Sequence, residues 1–377
     1  MARHSTLSNL SELCTSITDP RINRRKLHSL ESIITISVCA VICGAESWND
    51  IEDFGILKKE FFESFLDLSN GIPSHDTFAR VFSRIDPEEF NNAFYEWQKS
   101  LHDNVSGDII AIDGKTLRSS FDKASGKLPI HMVSAWSTRN KVVLSQTKVS
   151  EKSNEIKAVP KLLQILDLKD CIVTMDAMGC QKDHAKAIRD KEGDYVLALK
   201  GNQSGFHQEV IDFCNDAVNG DLSDITDSSL IEKKDFSHGR IEAREYYLIK
   251  DLSWSIKAKE WKDIKSIGIV RAKRTVDSVT SEEIRYYCTS VSDVRKFARA
   301  VRNHWGIENS LHWVLDVAFN EDKCRIRKDN AAENFALLRH IAINLLKQET
   351  TKKRGIRGKM KNCGWDTNYM MKVLLGI

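Results

Sequence analysis

Over the first hundred positions apolar residues recur at spacings of three and four, the signature of helices with one buried face. The most apolar run, Ile33 to Gly44 (IITISVCAVICG), is well short of the ~20 residues that cross a bilayer and predicts a buried core helix or strand. DIEDFGILKKEFFESFLDL continues the helical spacing. After Pro73, Ser74 and Asp76 can cap a further helix carrying Phe78, Val81 and Phe82. Residues 1–103 therefore read as an N-terminal helical domain. Arg21, Arg24, Arg25 and Lys26 make it a candidate DNA-binding unit, beside the plainer reading of a helical packing module.

After Ser106-Gly107 the period changes. DIIAID, HMVSAWST and KVVLSQTKV are short β-type runs separated by turn segments, DKASGK and Arg139-Asn140, and predict a three-stranded meander. A helix from Asn154 to about Leu166, the strand CIVTMDA, the helix QKDHAKAIRDKE and the strand YVLALKGN follow. The order β-β-β-α-β-α-β predicts a mixed sheet with helices on its faces. A right-handed crossover places the strand ending at Asp176 parallel to the one ending at Asp113. Residues 201–292, with strand candidates REYYLI, SIGIVRA and IRYYCTS, read as a β-rich insertion. One long helix is expected from Asp293 to about Leu315 and another from Asn330 to Lys347. Between Lys347 and Lys361 seven basic residues face one Glu, opening a basic C-terminal tail over 351–377.

A length of 377 residues suggests two or three domains. Lys and Arg total 56 against 53 Asp and Glu, a net charge of +3, too mild to specify a polyanionic partner, so any basic surface must come from clustering. The nine cysteines are odd in number, scattered and without a CxxC pair. That excludes a disulfide framework and a thiolate zinc site, and points to reduced thiols in the cytoplasm. The opening MARHSTLSNLSELCTS has no apolar h-region and predicts no export. His131, His184, His238, His304 and His312 show neither H-x-x-x-H nor H-E-x-x-H spacing, and no G-x-x-x-x-G-K-[ST] loop occurs, so zinc hydrolysis and ATP use are not indicated.

Candidate chemistry lies in acids. Asp113 (AIDGKT) and Asp176 (VTMDAMG) each end an apolar strand, where a group is held firmly yet reaches a ligand. Either alone is as readily a turn former. A third acid comes from the helical wheel of DVRKFARAVRNHWGIENSLHWVL, whose apolar stripe passes through Val294, Phe297, Ala298, Val301, Trp305, His312 and Leu315. Glu308 falls within that stripe and is expected to point inward, away from Arg295, Arg299 and Arg302. An inward carboxylate needs a proton, a basic partner or a cation, and Mg²⁺ suits three oxygen-bearing acids.

The segments AIDGKTLR, VTMDAMGCQ with YVLALKGNQ, and RNHWGIENSLHWVLDVAFNED with CRIRKDNAAENFALLRHIAINLLK resemble insertion-sequence transposases of the DDE superfamily, in the group that includes the H-repeat-associated proteins of Rhs elements. The likeness runs from about residue 20 to the C-terminus and takes in GAESWNDIEDFG and GIPSHDTFARV. It implies an α/β fold, a ribonuclease H-like mixed sheet flanked by helices, divided into residues 104–200 and 293–350 by the insertion. It further implies a catalytic, metal-binding triad of Asp113, Asp176 and Glu308 with Mg²⁺ or Mn²⁺. The implied activity is DNA strand cleavage and strand transfer at the ends of an insertion sequence, on double-stranded DNA, in the cytoplasm at the nucleoid, with two ends paired by a homodimer. The alternatives are a silent DNA-binding relic and a nuclease that does not join strands.

Related transposases with a β-insertion carry an Arg four residues before the Glu and a Lys seven after it. Here those positions hold His304 and Leu315, with Arg302 and His304 as substitutes. Asp316 and Glu321 are weaker candidates for the third acid. Expected DNA contacts are Lys115, Arg118, Lys200, Asn202, Arg302 and His304, each of which is otherwise an ordinary solvated or structural residue, and Trp313 is a candidate for stacking on a base.

Overall fold

The computed structural model describes residues 10–101, 106–121, 126, 128–149, 155–218, 222–236, 240–277 and 279–375. The predicted turn DKASGK, apart from Gly126, the predicted helix start at Asn154, and His238 lie outside them.

The apolar run folds as helix α1 (Leu30–Ile42). Ser29 caps it by accepting the Ser32 N–H, and every residue except Glu31 is buried, which resolves helix against strand. A capping box of Ser47 and Asp50 starts α2 (Trp48–Leu57), and α3 (Lys59–Glu63) follows. Ser74 caps α4 (His75–Phe82) as its position predicts, and Pro87 opens α5 (Pro87–Leu101), where its missing N–H costs nothing. Of the basic residues before α1, Arg21 and Lys26 pair with Asp19 at 2.8 and 3.3 Å.

The next elements are β1 (Ile109–Leu117), β2 (Ile130–Ser137), β3 (Val142–Lys148), α6 (Glu155–Ile165), β4 (Ile172–Met175), α7 (Lys182–Asp190), β5 (Asp194–Leu199) and α8 (Ser204–Val218). They are followed by β6 (Ser228–Phe236), β7 (Arg240–Ile249), β8 (Ser266–Val276), β9 (Val279–Thr289) and α9 (Val294–Ile307). A π-helical segment, Glu308–His312, then leads to α10 (Trp313–Phe319), α11 (Ala331–Gln348), α12 (Ile356–Trp365) and α13 (Thr367–Leu375). The sheet order is β3-β2-β1-β4-β5-β9-β8-β7-β6. Its first five strands, with β1, β4 and β5 parallel and β2 antiparallel to β3, form the mixed sheet expected.

The chain divides into two units: Met1–Asn104 with Gly114–Asn154 and Glu308–Ile377, and Val105–Asp113 with Glu155–Ile307. In the second, the stretch read as an insertion continues the sheet, since β9 runs antiparallel to β5 and β8, β7 and β6 follow. It also contains α8 and β6, which the strand candidates did not include. Helix α9 lies on this sheet through Phe297, which meets the rings of Tyr246 and Tyr287 at 6.3 and 5.5 Å. Gly268 on β8 makes room for it, because a β-carbon there would sit 2.3 Å from the Phe297 ring.

In the first unit the Asn344 amide on buried α11 bonds both the N–H and the C=O of Val143 at 2.8 Å, acting as a neighbouring strand would. The supposed basic tail is folded. Residues in α12 and α13 bury Met360, Cys363, Tyr369, Met370, Val373 and Leu374, and Lys359 is buried beside Glu349. Apolar residues at helical spacing outweigh the charge run there. All nine cysteines are free thiols, as expected.

Gly268→Ala should force Phe297 from its site and lower stability by about 1–3 kcal/mol, read as a reduced denaturation midpoint at unchanged m-value.

Candidate functional site

Asp113 and Asp176 are placed by one strand pairing. β1 and β4 run parallel in the register Ile109↔Ile172 to Ile112↔Met175, so each aspartate sits one residue beyond the last matched pair. β1 does not end at Asp113 as expected but continues to Leu117, whereas β4 stops at Met175. Asp176 is exposed and Asp113 half-buried. Asp176 Oδ1 accepts the N–H groups of Met178 and Gly179 at 2.9 and 3.2 Å, which fixes its carboxylate against the turn. Gly179 permits that turn, since a β-carbon there would lie 2.6 Å from the Met175 side chain.

The loop after Asp176 is braced by residues the sequence reading assigned elsewhere or passed over. The Asn202 amide donates to the carbonyls of Ala177 and Cys180, and Gln203 donates to Cys180 C=O at 3.0 Å. The ring nitrogens of buried His184 lie 2.9 Å from the carbonyls of Gly179 and Ile156. The run GNQ after a strand was the available signal for this brace, read there as a DNA contact. Asn202, itself exposed, acts as a strut for this loop.

Glu308 follows α9 directly. That helix is tied to β4 by His304 Nδ1, hydrogen-bonded at 3.0 Å to Thr174 Oγ1, two residues before Asp176. His304 thus positions the helix rather than standing open to phosphate. The expectation that Glu308 points inward is overturned: its side chain is 56% exposed. The wheel assumed one unbroken α-helix, but five residues adopt π geometry and shift the phase. Trp305, placed in the apolar stripe and lying within regular α9, is 49% exposed, with Arg285 5.4 Å above its ring. Glu308 Oε2 accepts from Nδ1 of buried His312 at 2.9 Å, making a carboxylate-imidazole pair able to ligate a cation.

Lys115 is withdrawn from the expected DNA contacts. Its ammonium is caged by Asp316, Asp322 and Glu321 at 2.6, 3.1 and 3.3 Å. Burial alone would lower its pKa, but the three carboxylates outweigh burial and raise it. Buried Glu321 also meets Arg339 at 3.5 Å, so Asp316 and Glu321 serve this cluster and not a third-acid role. Arg118 is 81% exposed and touches Asp322 at 3.1 Å. Lys200 is exposed, Trp313 is 60% exposed, and Arg302 lies 3.8 Å from Glu232.

Residues 105–345 match the Transposase DDE domain and residues 12–98 the DDE_Tnp_1-associated domain. The chain belongs to the DDE transposase family. It is 43% identical to the "H repeat-associated putative transposase YhhI" of Escherichia coli (strain K12) over 98% of each chain. It is 44% identical to the "Putative transposase YncI" of Escherichia coli O157:H7 over 98% of this chain and 95% of that one. Among solved structures, a piggyBac transposase synaptic complex with hairpin DNA matches 97% of this chain and 78% of its own, at 12% identity and a TM-score of 0.43. No helix among the described residues is long and apolar enough to cross a membrane.

Lys115→Met should cost on the order of 3 kcal/mol by leaving Glu321 and its neighbours short of a cation, read as a lower melting temperature. A DNA-contact role would instead weaken DNA binding at unchanged stability. His340, buried beside this cluster, is pushed down to about 3 by burial and then by His312, Arg339 and Lys115. Its folded pKa is depressed, so unfolded chain takes up a proton near 6.5 that the folded protein refuses. Stability should therefore be full above about pH 6.5 and decline toward pH 3. His340→Gln should flatten that decline in unfolding midpoints between pH 7.5 and about 5.

Proposed function

We propose that this protein is an insertion-sequence transposase that cuts and joins double-stranded DNA through Asp113, Asp176 and Glu308 with Mg²⁺, for which Mn²⁺ can substitute. One observation carries the reading: in a chain of the DDE transposase family, the parallel register of β1 and β4 sets Asp113 and Asp176 on neighbouring strands, one residue past a matched pair.

The residues fit a hard divalent cation. Carboxylate oxygens are the hard donors that a divalent cation such as Mg²⁺ prefers. Asp176 Oδ1 is already engaged by two N–H groups, which leaves Oδ2 for a ligand, and Glu308 offers an exposed carboxylate. When bound, divalent ions polarise a phosphodiester and stabilise the entering and leaving oxygens of an in-line displacement. The protein's own work is positioning: the turn after Asp176 holds one acid, His304 on Thr174 holds the helix that leads to another, and His312 orients Glu308. Arg118, Lys200 and Arg302 supply phosphate contacts. The helical domain 1–103 grips element ends, 104–200 and 293–350 form the catalytic core, and a homodimer pairs the two ends.

The test is incubation of pure protein with terminal-repeat DNA and Mg²⁺. Nicked and strand-transfer products are expected. Asp113→Asn, Asp176→Asn and Glu308→Gln should each reduce cleavage by about 10³-fold or more while near-UV circular dichroism stays unchanged. Cleavage without joined products would reduce the reading to a nuclease. Binding without cleavage would leave a silent relic, and wild-type turnover by any variant would remove that acid from the triad.

A further inference from the structure

Two of the nine thiols touch. Cys180 Sγ and Cys288 Sγ lie 3.6 Å apart, and both side chains are fully buried. Cys288 is fixed inside β9, opposite Leu197 of β5 on one side and Ile267 of β8 on the other. Cys180 is held less firmly, by side-chain bonds from Asn202 and Gln203 to its carbonyl in place of a strand ladder. It lies in residues 176–181, which belong to no helix or strand and begin with Asp176. Met178, two residues before it, is 44% exposed, and opening such a segment locally costs far less than unfolding the sheet. The contact differs in kind from that of Cys43, whose sulfur meets the thioether of Met370 at 3.5 Å, a group with no S–H to lose.

Two thiols in contact are the starting point from which a disulfide forms with little chain movement. Burial, and then the hydrogen bond with Cys180, raise the Cys288 thiol well above its ordinary pKa, so Cys288 keeps its proton and the entering sulfur is that of Cys180. An oxidant that reaches this sulfur through a local opening must be small and uncharged, which describes a hydroperoxide.

We propose that Cys180 and Cys288 are a redox-sensitive dithiol, which a hydroperoxide closes to an intramolecular disulfide that displaces the loop holding Asp176. The Cys180 sulfur, its proton lost to water, attacks a peroxide oxygen; the O–O bond breaks and one water leaves. The Cys288 sulfur then displaces the hydroxyl from the resulting sulfenic acid, and the hydroxyl leaves with the Cys288 proton as a second water. Two thiols are oxidised by two electrons and the peroxide is reduced to two waters. A sulfur–sulfur bond is about 2.0 Å, roughly 1.5 Å shorter than the present contact, and β9 is held by both its neighbours, so the loop takes up the movement. The N–H groups of Met178 and Gly179 that hold Asp176 Oδ1 belong to that loop. A misplacement of about 1 Å at a positioned group costs on the order of 10²-fold in rate. The effect on DNA cleavage rests on the function proposed above; the bond itself does not.

Hydrogen peroxide added to the full-length protein, followed by blocking of free thiols and non-reducing peptide mapping by mass spectrometry, tests the pair. The expected product is a peptide linking Cys180 to Cys288, which dithiothreitol separates and which Cys180→Ser and Cys288→Ser each abolish. Hydrogen exchange at residues 177–181 should slow in the linked form, a readout that needs no DNA. Cleavage of terminal-repeat DNA in Mg²⁺ should fall about 10²-fold as the linked form accumulates, return with dithiothreitol, and survive peroxide in both serine variants. Absence of the linked peptide once Cys43 and Cys324 have been oxidised overturns the dithiol. A linked peptide that leaves cleavage unaltered overturns its action on the Asp176 loop. Failure of the reduced wild type to cleave, with the linked peptide and slowed exchange still found, would contradict the catalytic reading and leave the dithiol standing.

Discussion

The parallel register of β1 against β4 is the constraint on which the rest depends. Four matched pairs, ending at Ile112 and Met175, leave an aspartate next on each strand. Backbone hydrogen bonds of a buried sheet cannot slip by one residue without turning every side chain to the opposite face, so the two aspartates keep their positions one residue past the last matched pair. The surrounding structure reinforces this position. Buried Ile109, Ile172 and Val196 lock the strands into one core with Phe297 of α9, and the turn after Met175 clamps Asp176 from behind.

Electrostatics then separates two kinds of acid. Asp316, Glu321 and Asp322 are neutralised within the protein by Lys115, with Arg339 behind Glu321, and form a closed structural cluster. Asp176 and Glu308 are exposed and, among the described residues, have backbone N–H groups and an imidazole for company and no lysine or arginine in a salt bridge. Charges left available in this way are the ones that a cation would find.

Most strands were legible as short β-type runs and the N-terminal helices from apolar residues three and four apart, with Ser74 as a cap, because both depend on neighbours in sequence. The parallel pairing followed from the handedness of crossovers. Three features were not legible, each for its own physical reason. Lys115 reads as a free cation beside an acid until Asp316, Glu321 and Asp322, some two hundred residues on, are folded against it. The π segment at Glu308 follows no side-chain period, so the wheel carried Glu308 inward. Strand β6 (SSLIEKKDF) lacks clean alternation and owes its place to pairing along the whole of β7.

Directed backbone cleavage tests the central claim most directly. Fe²⁺ occupies oxygen-donor sites built for Mg²⁺, and with ascorbate and peroxide it generates radicals that cut the polypeptide near the bound ion. Cuts mapped by mass spectrometry should cluster around residues 113, 176 and 308 and disappear when excess Mg²⁺ competes. Cuts confined to residues 316–322, or a pattern indifferent to Mg²⁺, would contradict a shared metal site.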